Sequence, residues 1–256
     1  MYKASPKTLA LLSACSIATL LSVSSNATIV EFETSQGNFK VNLHDKTTPK
    51  TVENFLKYIN DGDYNNTVIH RLVPNFIVQA GGLRFDGDFP LTPISVDSTV
   101  NNEPLYSNVR ATIAMAKVGN SPNSATSQWF INYKDNSAIL DIQNGGFTVF
   151  GEVIEGMDNL DQIALLPLCQ DIPMPEYTSE QCANSNFVPA VENFVTINNV
   201  TIFNSSTTTA ESLSPVKNTL INKESSSGDS SGGGSLSYLA LLVLSLVGLR
   251  RKTKIS

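Results

Sequence analysis

One run of the chain, Ile69-His70-Arg71-Leu72-Val73-Pro74-Asn75-Phe76-Ile77-Val78-Gln79-Ala80-Gly81-Gly82, sets a guanidinium, a phenyl ring and a carboxamide at fixed offsets among apolar residues. A guanidinium left alone in a buried strand is costly, so Arg71 needs compensation. Its charge is permanent and its donors are forked, so one arm can be anchored while another reaches a bound group. Gln79 is the expected anchor. His70 is tempting as a base because the chain holds only 2 histidines. No serine or cysteine constellation accompanies it or His44, and it reads as structural or as a packing residue beside a ligand. A second segment repeats the mixture of polar and apolar groups: Ala111-Thr112-Ile113-Ala114-Met115-Ala116-Lys117, a polar loop, then Ser124-Ala125-Thr126-Ser127-Gln128-Trp129-Phe130-Ile131-Asn132. The chemistry on offer is a positioned cation next to an apolar surface. Proteolysis and metal catalysis have nothing behind them.

Short strands must hold these groups. Alternate residues of a strand share a face, so Phe76 and Val78 share one face, Ile77 and Gln79 the other, and Pro74-Asn75 must turn the chain before them. Residues 28–42 read as a hairpin: Ile29, Glu31 and Glu33 alternate with Val30, Phe32 and Thr34, and Ser35-Gln36-Gly37-Asn38 makes the turn. An amphipathic helix follows, with Thr48 as its cap, Pro49 at its first position, Val52, Phe55, Leu56 and Ile59 on one face, and Gly62 at its end. Met157, Leu160 and Ile163 predict a second helix after Gly156. Many short strands with two helices suggest a small β-barrel closed at its ends by helices, though spacing alone also fits a sandwich.

Together the two segments resemble the cyclophilin family of peptidyl-prolyl cis/trans isomerases, in its bacterial branch. From Tyr64 to Gly81 the order is that of the family signature: an aromatic, the His-Arg pair, Phe, then Gln before a small residue and Gly. Thr148-Val149-Phe150-Gly151-Glu152-Val153 and Gly156-Met157 extend the likeness, which spans residues 28–203. The resemblance implies a closed eight-stranded antiparallel β-barrel capped by two α-helices, and rotation about X-Pro bonds without any cofactor or metal. It implies that Arg71 and Gln79 carry the catalysis, and that Phe76, Ile77, Phe130 and Leu140 form the proline pocket with Met115 as its floor. Ala116 and Lys117 match the stretch whose backbone binds the extended peptide, Gln128 matches a polar contact to it, and His70 and Phe147 border the site. The sequence departs from the family at Ile69 (commonly Phe), at Ile139 (often Trp, a position tied to cyclosporin-type inhibitors) and at Phe147 (commonly His). None of these replaces Arg71.

The whole chain has 256 residues, 41% of them hydrophobic, enough for a sizeable core. Its net charge of -6 argues against nucleic acid as a partner. Proline-containing unfolded or flexible polypeptides are the expected partners, and nothing in the pattern demands more than a monomer. Residues 1–27 read as a secretory signal: Lys3 and Lys7 precede an uncharged apolar stretch, and Ser25-Asn26-Ala27 supplies small residues for cleavage. Leu12-Ser13-Ala14-Cys15 offers a competing lipoprotein box. Once Cys15 is set aside, Cys169 and Cys182 remain as an even pair in an exported protein. A disulfide between them would close a loop of about 14 residues, worth roughly 3 kcal/mol in a chain-entropy account; a metal pair is the alternative.

After the domain at 28–203, residues 204–234 are rich in Ser, Thr and Gly and read as a flexible linker. Residues 235–256 form a short apolar stretch ending in Arg250-Arg251-Lys252, too short for a comfortable membrane span. With Gly232-Gly233-Gly234 before it, this tail resembles the GlyGly-CTERM sorting signal of some Gram-negative bacteria; a permanent short anchor is the alternative. Either reading places the domain in the periplasm or cell envelope, with possible membrane association through the tail. Two rival functions stay open at this point: a proline-peptide binding module with little turnover, and a domain whose tethering is its main property.

Overall fold

The hairpin that opens the domain follows from alternation. Val30, Phe32 and Thr34 turn inward from β1 (Ile29–Thr34), and Phe39, Val41 and Leu43 do so from β2 (Phe39–Leu43), all buried. In this computed structural model, residues 28–205, 209 and 213–222 are described. The helix α1 (Pro49–Asn60) comes next, and then five short strands, β3 (Thr67–Val68), β4 (Arg71–Val73), β5 (Ile77–Ala80), β6 (Leu83–Arg84) and β7 (Thr92–Pro93). Two central strands follow, β8 (Thr112–Met115) and β9 (Trp129–Asn132), then a short helix α2 (Ser137–Leu140) and the long strand β10 (Val149–Glu155). The second expected helix is α3 (Met157–Ile163), with Leu160 and Ile163 buried. A small hairpin of β11 (Leu168–Cys169) and β12 (Ile172–Pro173), a short helix α4 (Ser179–Ala183) and the strand β13 (Thr196–Asn204) complete the order.

The architecture is mainly β, as expected, but the barrel closes in a particular way. The ladder runs β4-β5-β9-β8-β10-β2-β1-β13-β3-β6-β7, all neighbouring strands antiparallel, so it has two ends and is not a seamless circle. Strands β3 and β4 are two halves of one broken strand. Ile69 N donates to Val195 O at 2.9 Å, on the β13 side, and His70 N donates to Gln79 O at 3.2 Å, on the β5 side. Residues 67–73 therefore close the wall covalently, and the closed wall has the expected eight strands when β3 and β4 count as one. Strands β6 and β7 continue the ladder beyond β3.

Helix α1 matches its expected span, with Val52, Phe55 and Ile59 buried, but its N-terminus is held differently. Thr48 occupies the cap position without capping: its hydroxyl donates to His44 O at 3.2 Å. The carboxylate of Glu103 takes that role, accepting from Thr51 N at 2.9 Å and from the Thr51 hydroxyl at 2.7 Å. A partner 52 residues away satisfies the orphan donors of the first turn. Two more short helices, α2 and α4, appear beyond the two anticipated.

The barrel interior is filled by Phe32, Phe39, Phe55, Trp129 and Phe150 with aliphatic neighbours. Trp129 meets Phe32 edge-on at 5.1 Å between ring centroids. The expected signal at 1–27 and tail at 235–256 lie outside the described residues, as does most of the stretch expected as a linker. Within that stretch residues 213–222 run along the domain: Ser107 N donates to Val216 O at 2.8 Å and Asn218 N to Leu105 O at 2.9 Å. Among the described residues no helix is long and apolar enough to cross a membrane.

Candidate active site

Register brings the two sequence segments together. Arg71 pairs with Gln79, Gln79 with Phe130, and Phe130 with Ala114, across β4, β5, β9 and β8. Directly opposed residues point to the same side of a sheet, so these four form one transverse row. The adjacent row, Leu72, Val78, Ile131 and Ile113, points into the barrel and belongs to its core. The Arg71 row therefore lies on the outer face of the wall. Gly82 lets Gln128 approach the row, since a Cβ there would fall 2.6 Å from the Gln128 side chain.

Arg71 is buried, and burial lowers its proton affinity while the nearby Asp171 carboxylate raises it. Its Nη1 donates to Gln79 Oε1 at 3.4 Å, and Gln79 Nε2 donates in turn to Gln128 Oε1 at 2.8 Å. Its Nε makes no hydrogen bond but lies 3.7 Å from Asp171 Oδ2. Arg71, Gln79 and Gln128 thus form a relay along the outer face, and Asp171 joins it from a hairpin that the sequence reading did not connect with the site. His70 is buried, and burial holds it down to about 4 despite the nearby Val68 backbone and Gln128 side chain, so it is neutral near pH 7 and makes a poor proton shuttle.

Beside the relay lies a second apolar cluster, separate from the barrel interior: Ile77, Ala114, Ala116, Phe130, Leu140, Phe147 and Val149, with Phe76 half-buried at its edge. Phe130 and Phe147 meet edge to face at 5.7 Å between ring centroids. Met115 departs from expectation. It sits next to Ala114 in β8, so its side chain takes the opposite face, opposite Trp129 and inside the barrel core. The period of two along a strand excludes it from the cluster that holds Ala114. Lys117 is buried too: its Nζ donates to Asn144 O at 2.9 Å and Gly146 O at 2.6 Å and lies 4.7 Å from the Phe147 ring centroid, and burial lowers it to about 8.

A polar frame that the sequence reading missed supports this cluster. Asp141 Oδ1 accepts from Asn108 N at 2.8 Å and Asn108 Nδ2 at 3.0 Å, and the same amide donates to Phe147 O at 3.2 Å. Asn136 Nδ2 donates to Phe76 O at 2.9 Å and to Asn132 Oδ1 at 2.8 Å, and Phe147 N donates to Leu140 O at 2.9 Å. Asn108, Asn132, Asn136 and Asp141 are all buried. Their amides fix the backbone that presents Phe76, Leu140 and Phe147. Asn at positions 108 and 136 would pass in the sequence for turn residues, which favour Asn for its own side-chain hydrogen bonds.

Cys169 Sγ and Cys182 Sγ lie at disulfide distance, 2.02 Å. Beside them a cavity of about 150 Å³ is lined by Phe89, Ile172, Met174, Tyr177 and Phe187. Among the described residues no group of three His, Cys, Asp or Glu side chains converges as a metal site would require.

Comparison with known proteins places this arrangement. The family described as cyclophilin type peptidyl-prolyl cis-trans isomerase/CLD matches residues 29–184. A peptidyl-prolyl cis-trans isomerase of Acinetobacter baylyi is 39% identical over 141 residues, covering 55% of this chain and 73% of its own length. Peptidyl-prolyl cis-trans isomerase B of Escherichia coli is 38% identical over 139 residues, covering 53% of this chain and 83% of its own length. The crystal structure of a cyclophilin-type enzyme from Cryptosporidium parvum shares the fold at 23% identity, with a TM-score of 0.50 over 70% of this chain and 99% of that one. On sequence and fold alike, this chain belongs to the cyclophilin-type peptidyl-prolyl cis-trans isomerases.

Proposed function

We propose that this isomerase accelerates X-Pro rotation in exported, unfolded or flexible proteins and does so non-covalently, with Arg71 as its electrostatic catalyst. Uncatalysed rotation crosses a barrier of about 18–20 kcal/mol because the nitrogen lone pair is delocalised into the carbonyl, and it takes tens to hundreds of seconds. Halfway through rotation that resonance is lost and the prolyl nitrogen regains a localised lone pair. A donor aimed at the nitrogen stabilises the rotated state more than either planar state, which is the differential binding that catalysis requires. Phe76, Ile77, Phe130, Leu140 and Phe147 hold the proline ring, and the backbone at Ala116 and Lys117 with the Gln128 side chain guides the flanking chain. Gln79 orients Arg71.

The observation that carries this reading is the outward-facing row in which Arg71, Gln79 and Phe130 pair in register beside an apolar cluster. Export is supported by the charged, then apolar, N-terminus and by the paired cysteines at disulfide distance. The domain acts as a monomer in the periplasm or envelope, and residues 235–256 sort it there or hold it at the membrane.

The test is NMR exchange on an X-Pro peptide with the purified full chain and with Arg71→Ala. Fast exchange that collapses in the variant, while peptide binding persists, supports the mechanism. Binding without acceleration by the wild-type chain would leave a proline-peptide binding module instead.

A further inference from the structure

Strand β4, which carries Arg71, ends the ladder, so among the described residues no strand pairs with its outer edge. On that edge Leu72 N donates to Asp171 O at 2.6 Å. Gln170 and Asp171 form the two-residue tip of the β11–β12 hairpin, in which Cys169 pairs with Ile172, and Gln170 adopts φ +55° to make the turn. The hairpin is tied down twice, beside its tip by the Cys169–Cys182 bond and at its base by Met174 N donating to Pro167 O at 2.8 Å. Cys169 and Ile172 also pack against the satellite cluster of Met174, Tyr177 and Phe194. The tip is thus delivered to the side of Arg71 by a braced element, not by a free loop.

We propose that Asp171 is a positioning residue: from this hairpin it sets the plane of the Arg71 guanidinium. This deepens, and rests on, the reading of Arg71 as the electrostatic catalyst. The guanidinium is a rigid planar fork, so contacts on two of its edges define its plane. One edge has the Gln79 contact, which at 3.4 Å is long. The other is Nε, a buried donor without a hydrogen bond, whose charge partner is the Asp171 carboxylate 3.7 Å away. Nη2 has no hydrogen-bond partner among the described residues, so the two anchors leave that arm free to face a substrate. The Asp171 side chain is half-exposed, so the pair adds little to stability. Its contribution is geometric.

The experiment measures kcat and KM for an X-Pro peptide, with thermal unfolding, on the full chain and four variants: Asp171→Asn, Asp171→Glu, Arg71→Ala, and Arg71→Ala combined with Asp171→Asn. A small misplacement of a catalytic group costs about tenfold or more in rate. Asp171→Asn is expected to lower kcat about tenfold with KM and the unfolding temperature unchanged, and Asp171→Glu to recover most of the loss. In the Arg71→Ala background the Asn substitution is expected to have no further effect, because its target is gone. Wild-type kcat in Asp171→Asn, or an equal fall in both backgrounds, would overturn the proposal. Full activity in Arg71→Ala would instead sink the catalytic reading of Arg71 itself, which keeps the two failures apart.

Discussion

Two rows of side chains one residue apart on the same four strands do opposite work. Leu72, Val78, Ile131 and Ile113 face the barrel interior; Arg71, Gln79, Phe130 and Ala114 face outward. The backbone ladder is common to both, so any difference between them lies in side-chain chemistry alone. The inner row is uniformly aliphatic and is explained by closure of the barrel, since burying such side chains is what stabilises a closed wall. The outer row is not needed for closure. A buried guanidinium there costs desolvation, and a second apolar cluster on an outer face must be roofed by α2 and the Phe147 loop. A feature that folding does not require, and that packing has to accommodate, points to function.

The sharpest way to break this division is to remove one residue from each side, the largest ring inside and the cation outside. Trp129 fills the interior against Phe32 and Phe39. Trp129→Ala is expected to cost about 3–5 kcal/mol of unfolding free energy, with kcat for X-Pro exchange close to wild type wherever the variant is still folded. Arg71→Ala is expected to do the reverse: a fall of about 10²–10³ in kcat, the scale of losing one positioned transition-state donor, with stability changed by less than about 1 kcal/mol. Chemical denaturation and NMR exchange on the same two samples check both halves. If Trp129→Ala lost activity at full folding, or Arg71→Ala unfolded the domain, the two faces would not be separable.

Titration probes the same contrast more gently. His44, under the N-terminus of α1, and His70, at the seam, are both buried, and burial holds each down to about 4 from 6.5. Between those values the unfolded chain takes up protons that the folded chain refuses, so stability falls as pH drops from 6.5 towards 4 and is unaffected by these groups above 6.5. Each group contributes on the order of 3 kcal/mol of that loss by pH 4. Lys117 follows the same sign at higher pH: lowered to about 8 from 10.5, it makes the fold more stable as pH rises through that window. Denaturation midpoints from pH 4 to 10 check this, and a flat profile below 6.5 would mean that water reaches both imidazoles.

The parts of this molecule that could be read in the sequence are those fixed by local pattern. The β1–β2 hairpin, α1 from Pro49 and the pairing of Cys169 with Cys182 follow from alternation, the 3.6 period and an even cysteine count. What stayed hidden depends on partners far along the chain. Thr48 has the residue type of a helix cap, but Glu103 supplies the carboxylate, because a surface loop returns to α1 from 52 residues away. Asn108, Asn136 and Asp141 look like ordinary turn residues, and Asn132 like a strand end, until the fold closes them into one frame. Asp171 gains meaning only because its hairpin folds back onto the edge of β4. Residues 213–222 have linker composition, yet their backbone pairs with residues 105–107.

Met115 gives the smallest effect and the finest test of the two-face account. Resemblance assigned it to the pocket floor, whereas strand alternation puts it opposite Trp129 inside the barrel, with its neighbours Ala114 and Ala116 in the outer cluster. A pocket residue that touches proline should change KM when its shape changes. A core residue should change stability alone. Met115→Leu keeps volume nearly constant, so it is expected to cost less than about 1.5 kcal/mol and to leave both KM and kcat within twofold of wild type. Ala114→Val, one position away, adds bulk beneath Phe130 on the outer face and is expected to raise KM several-fold. If Met115→Leu moved KM as much as Ala114→Val did, β8 would be presenting both neighbours to the substrate, and alternation would not be what divides this wall.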